Sequence, residues 1–348
     1  MSTEGRLGFL EIAGKHHDIG VQLGLFGADI VHRHLVIGHA WASVMAFRDD
    51  PRAAEMRRLV EARLPAYWSE LQGLAQGLAL PFNDVFLWNC RGDVWAMAPD
   101  GCTTVQIPGD APVVAHNEDG DPGFRGHCAL ARVQPVGGRS FTSFVYPASI
   151  PGHTFAATET GLVQTVNNIR SRDAGAGLPR MILGRAILDC GSLDEATELL
   201  RTSQRAGAFH MTLAQRGDPR LVSVEFTHSS CSVEVVRQPR CHANHLVHQD
   251  MSGERQIITS SSSSRQQRGD AIIAGAGGTL DPTSVLWDGT AAALPIYRAQ
   301  PDDPDHENTL ATAVFDVGSQ SLDWQVYDQM SHAPCYVLRG TDRRSRLT

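Results

Sequence analysis

An α+β fold, arranged as a four-layer αββα sandwich, is what this 348-residue sequence predicts. Three observations carry the prediction. The first hundred residues place apolar positions mainly at helical spacing. From residue 102 the pattern changes to short β-rich runs punctuated by Gly and Pro. Helical spacing then returns before a last set of strands, and helices, strands, helices and strands again stack as two sheets covered by helices.

In order, residues 18–35 and 51–78 read as helices, with Pro51 suited to a first helical turn. Strands follow at 103–107, 112–116, 128–133, 141–146, 154–157 and 162–166. Residues 178–190 and 193–200 read as two helices, the second opened by Ser192 as N-cap with Glu195 three residues on, a capping-box arrangement. More strands are expected at 211–214, 221–226 and 232–236, then a helix over 265–274, then strands at 311–316, 323–326 and 335–338. Residues 302–308 read as a surface loop, and the serine run Ser260 to Ser264 by composition alone suggests a flexible one.

Composition excludes several function classes. With 42% hydrophobic residues the chain buries a substantial core, read here as one large unit. A formal charge of −8, spread without long runs, offers no basic footprint for nucleic acid or an anionic membrane. No stretch approaches eighteen consecutive apolar residues and residues 1–14 lack a signal-peptide pattern, so the expectation is a cytoplasmic protein. Seven scattered cysteines with no C-x-x-C pair argue against a disulfide framework and against a thiolate zinc site. A small-molecule substrate is expected, with no cofactor and no metal.

The chemistry centres on Gly101-Cys102-Thr103-Thr104-Val105, a thiol directly after a glycine at the start of a strand. If the chain were cut between Gly101 and Cys102, one residue would carry both a thiol and a free α-amine. These titrate near about 8.5 and 8, so the amine is a competent acceptor for the thiol proton. The thiol itself can attack the preceding carbonyl, and glycine there adds no side chain to obstruct it. The other reading of these five residues is a small buried cysteine beginning a strand.

Around this junction the chain resembles the cysteine N-terminal-nucleophile (Ntn) hydrolases of the acyl-coenzyme A:6-aminopenicillanate acyltransferase family. The resemblance rests on blocks in order: Gly14 to Gly24 as a G-x-x-x-x-x-G-x-x-x-G helix; Glu70 to Gly77 as E-x-x-G-x-A-x-G; and Leu87 to Arg91 as L-x-N-x-R. Then come Asp100-Gly101-Cys102-Thr103-Thr104, Asn117-Glu118-Asp119, Gly161 to Asn168, His242-Ala243-Asn244-His245 and Ser262 to Arg268. It implies the Ntn-hydrolase fold, with residues 1–101 as an N-terminal α-chain and 102–348 as a β-chain. The two fragments would remain partners in one structural unit.

The resemblance also implies roles. Cys102 is the nucleophile and, once freed, its α-amine is the base; Asn244 is the oxyanion donor, through an amide N–H that takes no proton from the reaction. Asp119 orients the α-ammonium or the substrate, and Arg265 supplies a fixed cation beside the thiol, with Arg268 as a second match for that position. Asn117, Glu118, Asn167, Asn168 and Ser264 are substrate-binding candidates.

The penicillin-forming enzymes carry tryptophans around the acidic residue, whereas this chain has Asn117-Glu118-Asp119-Gly120. That pattern is similar to the amide-hydrolysing branch, which includes hydrolases of β-alanyl amines. Hydrolysis of a small N-acyl or aminoacyl amide through a Cys102 thioester is therefore preferred to acyl-CoA-dependent acyl transfer. Two readings from other classes stand beside it. Fifteen histidines, with His242-x-x-His245-x-x-His248 among them, suggest a zinc hydrolase, although i and i+3 point to opposite faces of a strand. A non-catalytic binding protein that never matures is the other.

Overall fold

The computed structural model describes residues 6–98, 101–290, 294–299, 306–331 and 333–344. Its centre is two β-sheets. One has eight strands: β1 (Gly8–Gly14), β4 (Ala129–Pro135), β5 (Phe141–Val145), β6 (Ala156–Thr158), β7 (Leu162–Asn168), β8 (Phe209–Gln215), β9 (Asp218–Phe226) and β10 (Cys231–Val235), in that spatial order. The other has seven, ordered β11 (Arg240–His242), β2 (Gly101–Ile107), β3 (Val113–Gly120), β12 (Asn308–Val317), β13 (Leu322–Tyr327), β14 (Tyr336–Arg339) and β15 (Asp342–Arg343).

The sheets pack face to face, and the period-2 alternation of β2 decides which side chains meet. Thr104 and Gln106 point between the sheets, to Asn167 on β7 and Thr212 on β8. Val105 points the other way, into an apolar cluster with Ala115, Val285 and Leu286. This inter-sheet layer has two halves. Phe155, Phe315 and Trp324 fill one with stacked and edge-on rings. Beneath β2, β7, β8 and β9 the other half is polar.

Helices complete the four layers. α1 (His16–Ile30) and α4 (Pro65–Leu78) pack together, with α1 against β1 and β4. Their contact explains the glycine spacing: a Cβ on Gly20 would lie 1.9 Å from the Glu70 carbonyl oxygen, and one on Gly73 would lie 2.0 Å from that of His17. Glu70 is buried and takes the Arg185 guanidinium of α7 (Arg180–Ile187) at 3.1 Å, so this motif pins helices rather than substrate. Beside α7, α8 (Leu193–Thr202) packs on β8, β9 and β10. Over the second sheet lie α9 (Ser260–Gly275) and α10 (Pro282–Leu286).

Four expectations need correction. Residues 51–78 are two helices, α3 (Pro51–Arg63) and α4, because Pro65 forces Leu64 to an extended φ of −133°. The serine run is no loop: Thr259 caps α9 by accepting from the Ser262 amide, and the serines form the first turns. Residues 302–305 lie outside the described residues, but Glu307 and Asn308 are buried, and Asn308 opens β12. Ser192 does cap α8, accepting from the Glu195 amide, while the Glu195 carboxylate reaches the Gly191 amide rather than closing a box on Ser192.

Candidate active site

Antiparallel pairing of β2 with β3 sets Cys102 opposite Glu118, Thr104 opposite His116, and Gly101 opposite Asp119. Alternation sends Cys102, Thr104, His116 and Glu118 to the inter-sheet side, where all are buried. The Cys102 thiol faces the Glu118 Oε2 at 3.8 Å, and that oxygen lies 3.2 Å from His116 Nε2. Burial pushes His116 down to about 3, so the ring is neutral.

On the other side sits the cation. Arg265, buried on α9, donates through Nη1 to the Cys102 carbonyl oxygen at 2.5 Å and to Thr103 Oγ1 at 2.9 Å. Its Nη2 donates to Asn244 Oδ1 at 2.6 Å. Burial lowers the guanidinium's pKa against the pull of Asp119. Arg268, one turn on, leaves the site to pair with Asp288 at 2.7 Å. Ser261 accepts from Arg265 Nε, and Ser262 accepts from the Asn244 amide and meets His245 Nδ1. Ser264 instead donates to the Leu294 carbonyl.

Asn244 presents its oxygen, not its N–H, to Cys102. The Cys102 backbone N–H donates to Asn244 Oδ1 at 3.0 Å, while Asn244 Nδ2 donates to the Asn168 carbonyl at 3.0 Å. Two donors on Oδ1 fix the amide this way round. The other candidate amides are committed as well. Asn117 bridges the Leu286 carbonyl and Thr312, and Asn167 bridges Thr104, His210 and the His242 carbonyl. Asn168 reaches the Ala98 carbonyl at 3.4 Å.

The glycine before Cys102 has a steric reason. A Cβ on Gly101 would lie 2.2 Å from Glu307 Oε2, 3.0 Å from Arg298 Nη1 and 3.2 Å from the Asp119 Cβ. Arg298 binds Glu307 at 2.5 Å and lies 3.9 Å from Asp119 Oδ2, while Thr309 donates to Asp119 Oδ1 at 2.7 Å. Burial pushes the Glu307 carboxyl up to about 7, against Arg298 and Arg170. Sequence reasoning missed both Arg298 and Glu307; one signal was an Arg and a Glu flanking an otherwise acidic, proline-bearing segment. Asp100 of the same junction lies outside the described residues.

The donor types a zinc ion takes occur together once among the described residues: Cys102, His116 and Glu118 hold their ligand atoms within 4.8 Å of one another. The histidine triplet does not form such a set. His242 binds Glu225 at 2.7 Å, His245 binds Ser262 at 2.8 Å, and His248 lies between Ser223 and Ser232. No helix among the described residues is long and apolar enough to cross a membrane.

The chain is 22% identical over 351 residues to the beta-alanyl-dopamine/carcinine hydrolase of Drosophila melanogaster, covering 89% of this chain and 90% of that one. The penicillin V acylase structure from Agrobacterium tumefaciens aligns with a TM-score of 0.40 and 15% identity over 68% of this chain and 85% of that one. A sequence model of the acyl-coenzyme A:6-aminopenicillanic acid acyl-transferase family matches residues 107–329, well over half the chain. This protein belongs to that family of amide hydrolases and acyltransferases.

Proposed function

We propose that this chain is a self-processing amidohydrolase that cuts itself between Gly101 and Cys102 and then cleaves a small N-acyl or aminoacyl amide. One observation supports this most. The Gly101–Cys102 peptide sits amid the groups such chemistry needs: a thiol beside a carboxylate, Arg265 on the Cys102 carbonyl, and Asn244 Oδ1 receiving the nitrogen that becomes the α-amine.

After cleavage the α-amine takes the thiol proton and the thiolate attacks the substrate carbonyl. The amine leaves with the proton, and water hydrolyses the Cys102 thioester. Asn244 holds the α-amine through Oδ1. Its Nδ2 has two hydrogens, of which the Asn168 carbonyl takes one, and the second serves the oxyanion. Asp119 orients the α-ammonium from the opposite strand. We place the substrate in the pocket lined by Leu35, His39, Trp95, Met97, Asp121 and His306, of which Trp95 and Met97 precede Gly101 in the chain and His306 precedes Glu307. If an acceptor amine outcompetes water, the same thioester performs acyl transfer.

The test is acyl-enzyme trapping. Rapid acid quench with an N-acyl amide followed by mass measurement should show one acyl group on the fragment beginning at Cys102. Turnover by Cys102→Ala protein at the wild-type rate would refute the assignment.

A further inference from the structure

Self-cleavage poses a problem that mature catalysis does not. Before the cut, the Cys102 nitrogen is a peptide N–H donating to Asn244, and it has no basic lone pair to accept the thiol proton. On the reading that the chain processes itself, we infer that Glu118, oriented by His116, is the base that activates Cys102 for the maturation step.

The hydrogen-bond chain behind His116 fixes its tautomer. Asn167 donates through Nδ2 to the His242 carbonyl, so its Oδ1 accepts from Thr104 Oγ1 at 2.8 Å and from His210 Nδ1 at 2.9 Å. Thr104 has one hydroxyl hydrogen and spends it there. Its contact with His116 Nδ1 at 2.8 Å must then be a bond donated by the ring, which places the proton on Nδ1 and a lone pair on Nε2. That lone pair faces Glu118 Oε2. A proton moving from Sγ to an ionised Glu118 therefore ends in an O–H···N hydrogen bond between Oε2 and that lone pair. Glu118 meets the Cys102 thiol and His116, and its charge also acts on the buried thiol of Cys128.

The step balances without a co-reactant other than water. The thiol proton passes to Glu118 and Sγ bonds to the Gly101 carbonyl carbon. The C–N bond then breaks, and the proton on Glu118 leaves with the Cys102 nitrogen as the new amine. Water hydrolyses the resulting Gly101 thioester to a carboxylate and restores the thiol. Glu118 is the catalytic residue of this step; His116 and Thr104 are positioning residues.

The experiment follows cleavage of the full chain by intact mass for wild type, Glu118→Gln, Glu118→Asp and Thr104→Val, each with a thermal melt to confirm folding. Glu118→Gln should accumulate precursor and cleave at least about 100-fold more slowly, the scale of a lost general base. Its rate should rise about tenfold per pH unit between pH 7 and 9, as hydroxide replaces the missing base; a merely structural role would give no such rescue. Glu118→Asp should retain partial cleavage, and Thr104→Val, which frees the tautomer, should slow it about tenfold. Glu118→Gln cleaving at the wild-type rate while Cys102→Ala does not would overturn the inference alone. Slow cleavage of folded Glu118→Gln without pH rescue, or wild-type cleavage that requires added zinc, would also overturn it. Wild-type protein that never cleaves removes the self-processing reading itself and this inference with it.

Discussion

Two buried histidine–glutamate clusters lie between the sheets, and they differ in what their hydrogen bonds leave to do. In the first, the Glu118 carboxylate meets both the Cys102 thiol and His116. In the second, Glu225 accepts from His242 Nε2 at 2.7 Å and from the amides of Val247 and His248 at 2.7 and 3.1 Å. Burial acts to raise the Glu225 carboxyl, yet these donors hold it below its ordinary value. His210 stacks on His242 at 3.4 Å, and His248 is held by two serines. The second cluster is saturated and serves as scaffold. Asn167 joins the two, so the scaffold sets the tautomer used by the chemistry. A buried polar cluster is not in itself a site; what separates these two is a reactive atom and a lone pair facing it.

The largest effect that sharpens this contrast is expected at Gly101. Gly101→Ala puts a methyl 2.2 Å from Glu307 Oε2 and should lower the self-cleavage rate more than 100-fold while the chain still folds, read by time-resolved mass and a thermal melt. The complementary change, Glu225→Gln, removes one partner of a fully buried pair and should cost about 3–5 kcal/mol of stability in denaturant unfolding. The folded fraction should cleave normally; a cleavage defect in well-folded Glu225→Gln protein would break the division between scaffold and chemistry.

The pH dependence of stability probes both clusters. Burial holds His116 down at about 3 and His245 at about 4, and lowers His210 as well. Unfolded histidines bind protons below about 6.5, so the unfolded state holds more protons and stability should fall as pH drops from 6.5 towards 4. Glu307, raised to about 7, and Asp93, raised to about 6, act oppositely: their contribution is present below the unfolded values and is lost as pH rises to 7. Three histidines, among them His116, shifted further than either acid, outweigh two acids. Thermal melts should therefore show stability rising from pH 4.5 to 6.5, and a flat or falling profile would contradict the burial of this network. Smallest of all, Arg268→Ala should leave both the melting temperature and cleavage close to wild type, since its pair with Asp288 is surface-exposed on the arginine side.

Much of this was legible in the sequence. A strand at 103–107 and the Gly101-Cys102 junction at its start both stand out in the sequence, and the structure pairs that strand, β2, with β3. The choice between Arg265 and Arg268 was not legible, because it depends on where α9 begins, and five serines hide that start inside a loop-like composition. Glu307 and Arg298 escaped for a similar reason: an acidic, proline-bearing stretch reads as solvated, yet its end turns inward to neutralise itself beside Gly101. Strand β1 was missed because it pairs in parallel with β4, more than a hundred residues away. The Asn244 orientation is set by two donors from distant elements, which no local pattern encodes.

The most direct test is the intact mass of the purified chain under denaturing, reducing conditions, beside Cys102→Ala. The account predicts two fragments, of 101 and 348 − 101 = 247 residues, from the wild type alone. A single 37.7 kDa chain in both preparations would contradict it.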